Sequence, residues 1–358
     1  MDTTRRRLLR ALLGANRCHQ CQLRALASSS GAQNWQRIVG DAEKLVGYSG
    51  SFLNVRYLLS DEGANVALMA RKLIGSRHPL LDTAKSMFYY GDNSVQTTGL
   101  FILLVSRSMN EYAPAVDAMQ QQLETTSSVS ELTPPMTGGI HSSQRSLAEL
   151  AELLYTSQVI HRGVLEPEEI QGKDALNSAN KLAVLGGDFL LASCSMALAK
   201  LGSPKVTDWI AQAIGDMVRS NFPAESQVDQ GSVTLETWEE LAFLKFGSLL
   251  AHSCRAVAEL VGVADVEVQS SAFEFGRRLA LMYSLSKLCL AWESADSKLD
   301  VVSSVDWPLL DSDRSRDRLM SSFAEHRDMA QRHLAAFPVC DSTATLARIV
   351  DSLGDACS

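Results

Sequence analysis

Residues 181–199, KLAVLGGDFLLASCSMALA, carry one charge after the opening lysine, Asp188, and are otherwise apolar or small on every side of a helix. Such a helix has no polar face to give to water, so the pattern predicts a central helix surrounded by others. The rest of the chain supplies candidates to surround it. Leu147, Leu150, Leu153, Leu154 and Val159 repeat at helical spacing from Ser143 onward, and residues 100–106 open another buried helix that continues towards Tyr112. Ser203-Pro204 reads as a cap followed by proline at the first helical position, opening a helix over 209–218. Further helices are predicted at 238–260, 266–290, 314–336 and 343–353, and two more between Ser60 and Gly91.

Breaks between these helices are short. The segment LTPPMTGG, 132–139, is the clearest loop in the first half, 221–232 is polar and turn-rich, and 338–342 separates the last two helices. No strand ladder, internal repeat or low-complexity linker is legible. Hydrophobic residues make up 46% of the 358 and aromatics only 6%, a balance that suits a mostly helical protein. One all-α domain is the economical expectation. No stretch of about 18 residues or more is both apolar and uncharged, so no transmembrane span is expected.

The first thirty residues differ in kind. They hold Arg5, Arg6, Arg7, Arg10, Arg17 and Arg24, end in serines, and have Asp2 as their one acidic residue. Leu8, Leu9, Leu12 and Leu13 would line one face of a short cationic helix. That make-up suits a mitochondrial presequence, here assigned to 1–30, ahead of a helical domain over 31–358. Its removal would take the charge balance from 33 − 41 = −8 to 27 − 40 = −13. So acidic a protein is a poor candidate for nucleic acid. Cys18, His19 and Cys21 look like half a zinc site but fall within the leader and have no second pair. The other cysteines have no metal-like spacing and are read as packing or surface thiols.

Four segments, LAELAELLYTSQVIH, ANKLAVLGGDFLLA, LKFGSLLAHSCRAVAELVGV and FGRRLALMYSLSKLCLA, resemble in order and separation the helices of the trans-polyprenyl diphosphate synthases. The similarity covers about 35–353. IHSSQRSLAEL followed by VIHRGVLEPEEIQ resembles more narrowly the second, catalytically degenerate subunit of mitochondrial decaprenyl or solanesyl diphosphate synthase. The resemblance implies an isoprenoid-synthase-type bundle. It also implies a chemistry in which Mg²⁺, held by two DDxxD clusters on facing helices, stabilises the pyrophosphate leaving an allylic diphosphate as isopentenyl diphosphate attacks. Carboxylates one turn apart share a helix face, and a hard cation takes oxygen ligands.

Against that pattern this chain is stripped. The aspartate positions of the first cluster hold Arg162, Gly163 and Glu166, and those of the second hold Lys287, Leu288 and Ala291, with Ser284 in place of a glutamine. Gln171 and Gly172 replace an arginine pair, with Lys173 only nearby, and SVQTTG, 94–99, has no basic residue where the resemblance has the isopentenyl diphosphate cradle. Asn180, Lys181, Asp188 and Lys245 remain, with Lys181 and Lys245 as residual diphosphate contacts, while Phe246 and Gly247 replace a threonine and an alanine. A lysine or arginine about 4 Å from a divalent cation would repel it by about 8 kcal/mol at an effective dielectric near 20. Arg162 and Lys287 are read either as plain charges or as ion-pair partners of Glu166 or Glu169; His161 is read as a helix-end packing residue.

The resemblance then implies a required, non-catalytic subunit of a heteromeric all-trans-polyprenyl diphosphate synthase that feeds ubiquinone synthesis in the mitochondrial matrix. It would have no catalytic residue and no metal of its own. Mg²⁺ is expected on a DDxxD-bearing partner in a heterodimer or heterotetramer, and the helices over 147–160 and 182–199 are the contact candidates by analogy. The rivals are an autonomous prenyltransferase with unusual metal ligation and a prenyl-binding pseudoenzyme outside any synthase.

Overall fold

The structure, a computed structural model, describes residues 30–47, 97–112, 136–165, 174–222, 234–293 and 313–355. The leader and the helices expected between Ser60 and Gly91 lie outside the described residues. Ten α-helices make up the described fold: α1 (Ser30–Val46), α2 (Thr97–Met109), α3 (Ser142–Arg162), α4 (Asp174–Lys200), α5 (Pro204–Arg219), α6 (Leu235–Ala242), α7 (Ser248–Leu260), α8 (Val266–Glu293), α9 (Asp313–Leu334) and α10 (Asp341–Asp355). One turn of π-helix, Phe243–Gly247, joins α6 to α7 without a break in the rod. The expected helix over 238–260 is therefore three pieces. A π turn inserts one extra residue into an α-helix and is frequent at functional positions.

The loop at LTPPMTGG ends in a small feature the sequence reading did not anticipate. Met136–Thr137 and Ile140–His141 pair as a two-stranded hairpin, with Met136 opposite His141. Gly138 and Gly139 both take positive φ, 61° and 76°, as a two-residue hairpin turn of the primed type requires. The hairpin delivers His141 to the start of α3, where it serves as N-cap: the imidazole accepts from the Ser143 amide, and the Gln144 side chain accepts from the His141 amide at 3.0 Å. Ser203 caps α5 through the Val206 amide and Thr234 caps α6 through the Thr237 amide, the first as the Ser-Pro pair predicts.

Two helices, α2 and α7, sit at the middle. From Thr98 to Met109 every residue of α2 is buried except Arg107, and α7 is buried except at Arg255, Glu259 and Leu260. Around them pack α3, α5, α8 and α10, with α9 outside α8 and α1 against α10. At Gly276 the α8 backbone comes so close to α7 that a Cβ would lie 2.9 Å from Ala251 Cα, Leu250 O and Cys254 Sγ. Only glycine allows that approach.

Residues 181–199 are not the surrounded helix that their composition predicts. They belong to α4, which packs along α3 and touches α5 only lightly. Its outward side leaves Val184, Leu185, Phe189 and Met196 exposed, Leu185 at 67% and Met196 at 63%. An all-round apolar helix signals burial somewhere, and periodicity cannot say whether the covering comes from the same chain. By length and composition alone Leu176–Lys200 is also long and apolar enough to cross a membrane, as no other helix among the described residues is, with 28% of its apolar window buried.

The helix expected to share in partner contact, 147–160, is an interior element: Leu147, Leu150, Leu153, Leu154 and Ile160 are all at most 9% exposed. Buried with them is an acid. Glu152 Oε1 accepts from the Gly99 amide at 2.6 Å and the carboxylate also takes the Thr98 amide, so α3 caps the first turn of α2 from the side. Burial pushes the Glu152 pKa up to about 7, with the two amide hydrogen bonds opposing.

Between the ordinary value of 4.5 and about 7 the folded chain keeps this proton and the unfolded chain has lost it. Glu152 therefore makes stability fall as pH rises through that window, by up to about 3 kcal/mol in all. Chemical denaturation of the wild type and Glu152→Gln at several pH values checks this. The wild type should lose stability relative to the variant from pH 4.5 to 7, and the difference should level off above pH 7.

Candidate functional site

The positions of the first aspartate cluster fall at the C-terminal end of α3. Gly163 closes the helix, its amide bonded to the Ile160 carbonyl at 3.0 Å. Arg162, half-buried, turns inward to the π turn, where its Nη2 donates to the Lys245 carbonyl at 3.4 Å. Its Nε is buried and has no hydrogen-bond partner among the described residues. Burial lowers the Arg162 pKa from its ordinary value, and Tyr155 partly opposes the shift. Arg162 is thus neither a plain surface charge nor, among the described residues, half of an ion pair. Glu166 and Glu169, its suggested partners, lie outside them, as do Gln171, Gly172 and Lys173.

On the other side of the same turn, His161 Nε2 lies 3.3 Å from both the Val184 carbonyl and Asp188 Oδ1 on α4. Two acceptors on one nitrogen assign the proton to Nε2. The helix-end packing expected of His161 is therefore a specific contact. Asp188, whose side chain is 61% exposed, accepts from the His161 imidazole and so links α4 to the end of α3. Lys181 stands exposed on α4 and so is not packed in the centre either. Asn180 accepts from the Leu165 amide at 2.8 Å and donates to the Leu165 carbonyl at 2.7 Å, clamping the chain just past the turn.

The second cluster falls on the C-terminal part of α8. Leu288, in an aspartate position, is 4% exposed and belongs to the core. Ser284, at the glutamine position, spends its hydroxyl on the Ala280 carbonyl one turn back, at 2.9 Å. The side chains of Lys287 and Ala291 lie outside what the structure describes. Of the segment 94–99, residues 97–99 form the start of α2, and the amides of Thr98 and Gly99 are taken by Glu152.

Between the two cluster positions runs a file of aromatic rings that the sequence reading did not assemble. Tyr155 of α3 meets Phe246 edge-on at 5.6 Å, Phe246 meets Tyr283 of α8 at 5.8 Å, and Tyr283 meets Phe101 of α2 at 6.3 Å. Phe246 is the residue that replaces a threonine in the resemblance, and it is only 9% exposed. A ring has taken the place of a hydroxyl and binds to rings. The two buried thiols do no better as ligands. Burial pushes Cys194 and Cys254 up to about 12, far from a thiolate at neutral pH.

Such a donor set does not fit Mg²⁺, which takes near-octahedral oxygen ligands at about 2.0–2.1 Å. One cluster position offers a cation, one a glycine and one a core leucine. Among the described residues no group of three or more His, Cys, Asp or Glu could hold a metal ion. What the arrangement can do is join helices: α3 to the π turn through Arg162, and α3 to α4 through His161 and Asn180.

Comparison with known proteins places the frame. The polyprenyl synthetase profile matches residues 128–286. The chain is 38% identical over 267 residues to human all trans-polyprenyl-diphosphate synthase PDSS2, covering 72% of this chain and 63% of that one. The chain belongs to the polyprenyl synthetase family. It is also 31% identical, over 67% of its length and 59% of the relative's, to a probable mitochondrial hexaprenyl pyrophosphate synthase of Neurospora crassa. The chain spans a little under two thirds of the length of its human and rat PDSS2 relatives. The solved geranylgeranyl pyrophosphate synthetase of the archaeon Geoglobus acetivorans overlays with a TM-score of 0.55 at 14% identity, over 91% of this chain and 97% of that one. The likeness confirms the all-α synthase fold.

For a family member so rebuilt, restoring the missing acids should not restore chemistry. A variant with aspartates at Arg162, Gly163, Lys287 and Leu288 is expected to give no product from isopentenyl and allylic diphosphates with Mg²⁺. The Leu288→Asp change alone would bury an unpaired carboxylate and cost at least about 2 kcal/mol. Radiolabelled isopentenyl incorporation and a melting curve check both. Robust turnover by the quadruple variant would show that the ring file and the lost cradle at 94–99 are no obstacle.

Proposed function

We propose that this chain is a required, non-catalytic subunit of a heteromeric all-trans-polyprenyl diphosphate synthase, of the decaprenyl or solanesyl kind. The assembly makes the isoprenoid tail of ubiquinone from isopentenyl diphosphate and an allylic diphosphate in the mitochondrial matrix. The observation that carries the reading is Arg162. At a position where the family frame calls for a metal-binding carboxylate, a half-buried guanidinium is tied to the backbone of the π turn. The chemistry therefore belongs to a second chain that keeps its DDxxD clusters, and Mg²⁺ resides there. The location rests on the arginine-rich leader and on the mitochondrial relative from Neurospora crassa.

The partner has a place to dock. Val184, Leu185, Phe189 and Met196 make one exposed apolar side of α4, and Asp188, the charge among them, accepts from the His161 imidazole of the same chain. Covering a large apolar side chain contributes about 1.5–3 kcal/mol, so a stripe of four supports an interface centred there. A synthase chain of the same fold is the occupant that also supplies the missing ligands. A bilayer would cover the apolar stripe but supply none of them. The 147–160 helix, being interior, has no such surface to offer.

Reconstitution tests the function. Product formation should be absent with this chain alone, low or absent with its DDxxD-bearing relative from the same organism alone, and restored when the two are co-expressed. Turnover by this chain alone, or full activity of the relative without it, would overturn the reading.

A further inference from the structure

The remnant of the first aspartate site does more than lack ligands: it is the place where α4 is fastened to the bundle. Four contacts converge there. Ser157 Oγ of α3 donates to the Gly187 carbonyl of α4 at 2.8 Å, buried. One turn on, the His161 imidazole reaches the Val184 carbonyl and Asp188. Gly187 lies so close to that imidazole that a Cβ would fall on the ring, so the two helices are in register at a glycine. Just past the helix end, Asn180 holds both backbone groups of Leu165.

Helix α4 has α3 as its principal neighbour and only light contact with α5. These few polar contacts near its N-terminal half, with the apolar packing of Ala179, Ala183, Leu190, Cys194 and Leu198, therefore decide where its outer stripe points. Arg162 anchors the same turn from the opposite side, at Lys245. A turn tied to the core by one residue and to α4 by its neighbours transmits the position of the core to α4.

We propose that Ser157, His161, Asn180 and Gly187 are positioning residues that present the outer stripe of α4 to the catalytic partner. The turn that binds metal in an active synthase serves assembly in this chain. The proposal rests on the reading of α4 as the docking face. None of the four residues touches substrate, and their effect on product formation is indirect, through the affinity of the complex.

The test uses the presequence-free chain and its DDxxD-bearing partner. His161→Ala/Asn180→Ala removes the imidazole contacts and the Leu165 clamp without introducing a clash. Two lost hydrogen-bonded contacts should weaken association by about tenfold. The turnover per complex at saturating partner should stay within about twofold, and hydrogen exchange along α4 in the free chain should quicken. Asn180→Asp keeps the acceptor for the Leu165 amide and loses the donor, so it should fall between; it also serves if the double variant fails to fold. Leu185→Glu/Met196→Glu should abolish association with α4 exchange unchanged.

Quicker exchange along α4 with unchanged affinity in the double variant would overturn the positioning proposal while leaving the docking reading intact. A drop in turnover at saturating partner would overturn it too, because positioning through affinity is corrected by excess partner. Normal association of Leu185→Glu/Met196→Glu would instead remove α4 as the docking face, and with it the reading beneath the proposal.

Discussion

Burial of α2 and α7 is the constraint on which the rest of the structure hangs. Both helices are short and nearly devoid of exposed side chains, so each must be covered on all sides by longer helices that turn one stripe inward. That requirement fixes α3, α5, α8 and α10 around them. Gly276 lets α8 close to backbone contact on α7, and Glu152, buried in α3, satisfies the first amides of α2. A metal site would need acids at the ends of α3 and α8, held apart from one another and open to substrate. Here Leu288 and the ring file of Tyr155, Phe246 and Tyr283 belong to the core, and Arg162 ties the end of α3 to the π turn.

Much of the helix order was legible. Ser203-Pro204 marked the start of α5 and the break at 338–342 marked the join of α9 and α10, because caps, prolines and glycines act locally. The placement of 181–199 was not. Composition reports that a helix will be covered, and a helix covered by its own chain reads the same as one left for another. The π turn was equally hidden, since nothing in FLKFG distinguishes one inserted residue from a continuing α-helix. Glu152 does carry a legible signal: an acid between Leu150 and Leu153, on a helix expected to be buried, calls for backbone donors nearby.

At the site, identities were legible and partners were not. The sequence shows an arginine at 162 and a phenylalanine at 246; the fold shows that Arg162 meets the Lys245 carbonyl, 83 residues on, and that Phe246 meets rings from two other helices. Long-range pairing of this kind is set by packing, which a single sequence does not carry. The same holds for His161 and Gly187, whose fit depends on the register of α3 against α4.

The central claim is that this chain has exchanged metal chemistry for structural contacts at both aspartate positions. Electron paramagnetic resonance of Mn²⁺ titrated into the chain, with and without farnesyl diphosphate, tests it most directly. The account predicts that the free-ion Mn²⁺ signal is the same in protein and buffer, and that the protein adds nothing to the binding of Mn²⁺ by the diphosphate itself. Stoichiometric loss of the free-ion signal on adding protein with the diphosphate would contradict it, because the chain would then hold a metal cluster with ligands other than those at Arg162, Gly163 and Leu288.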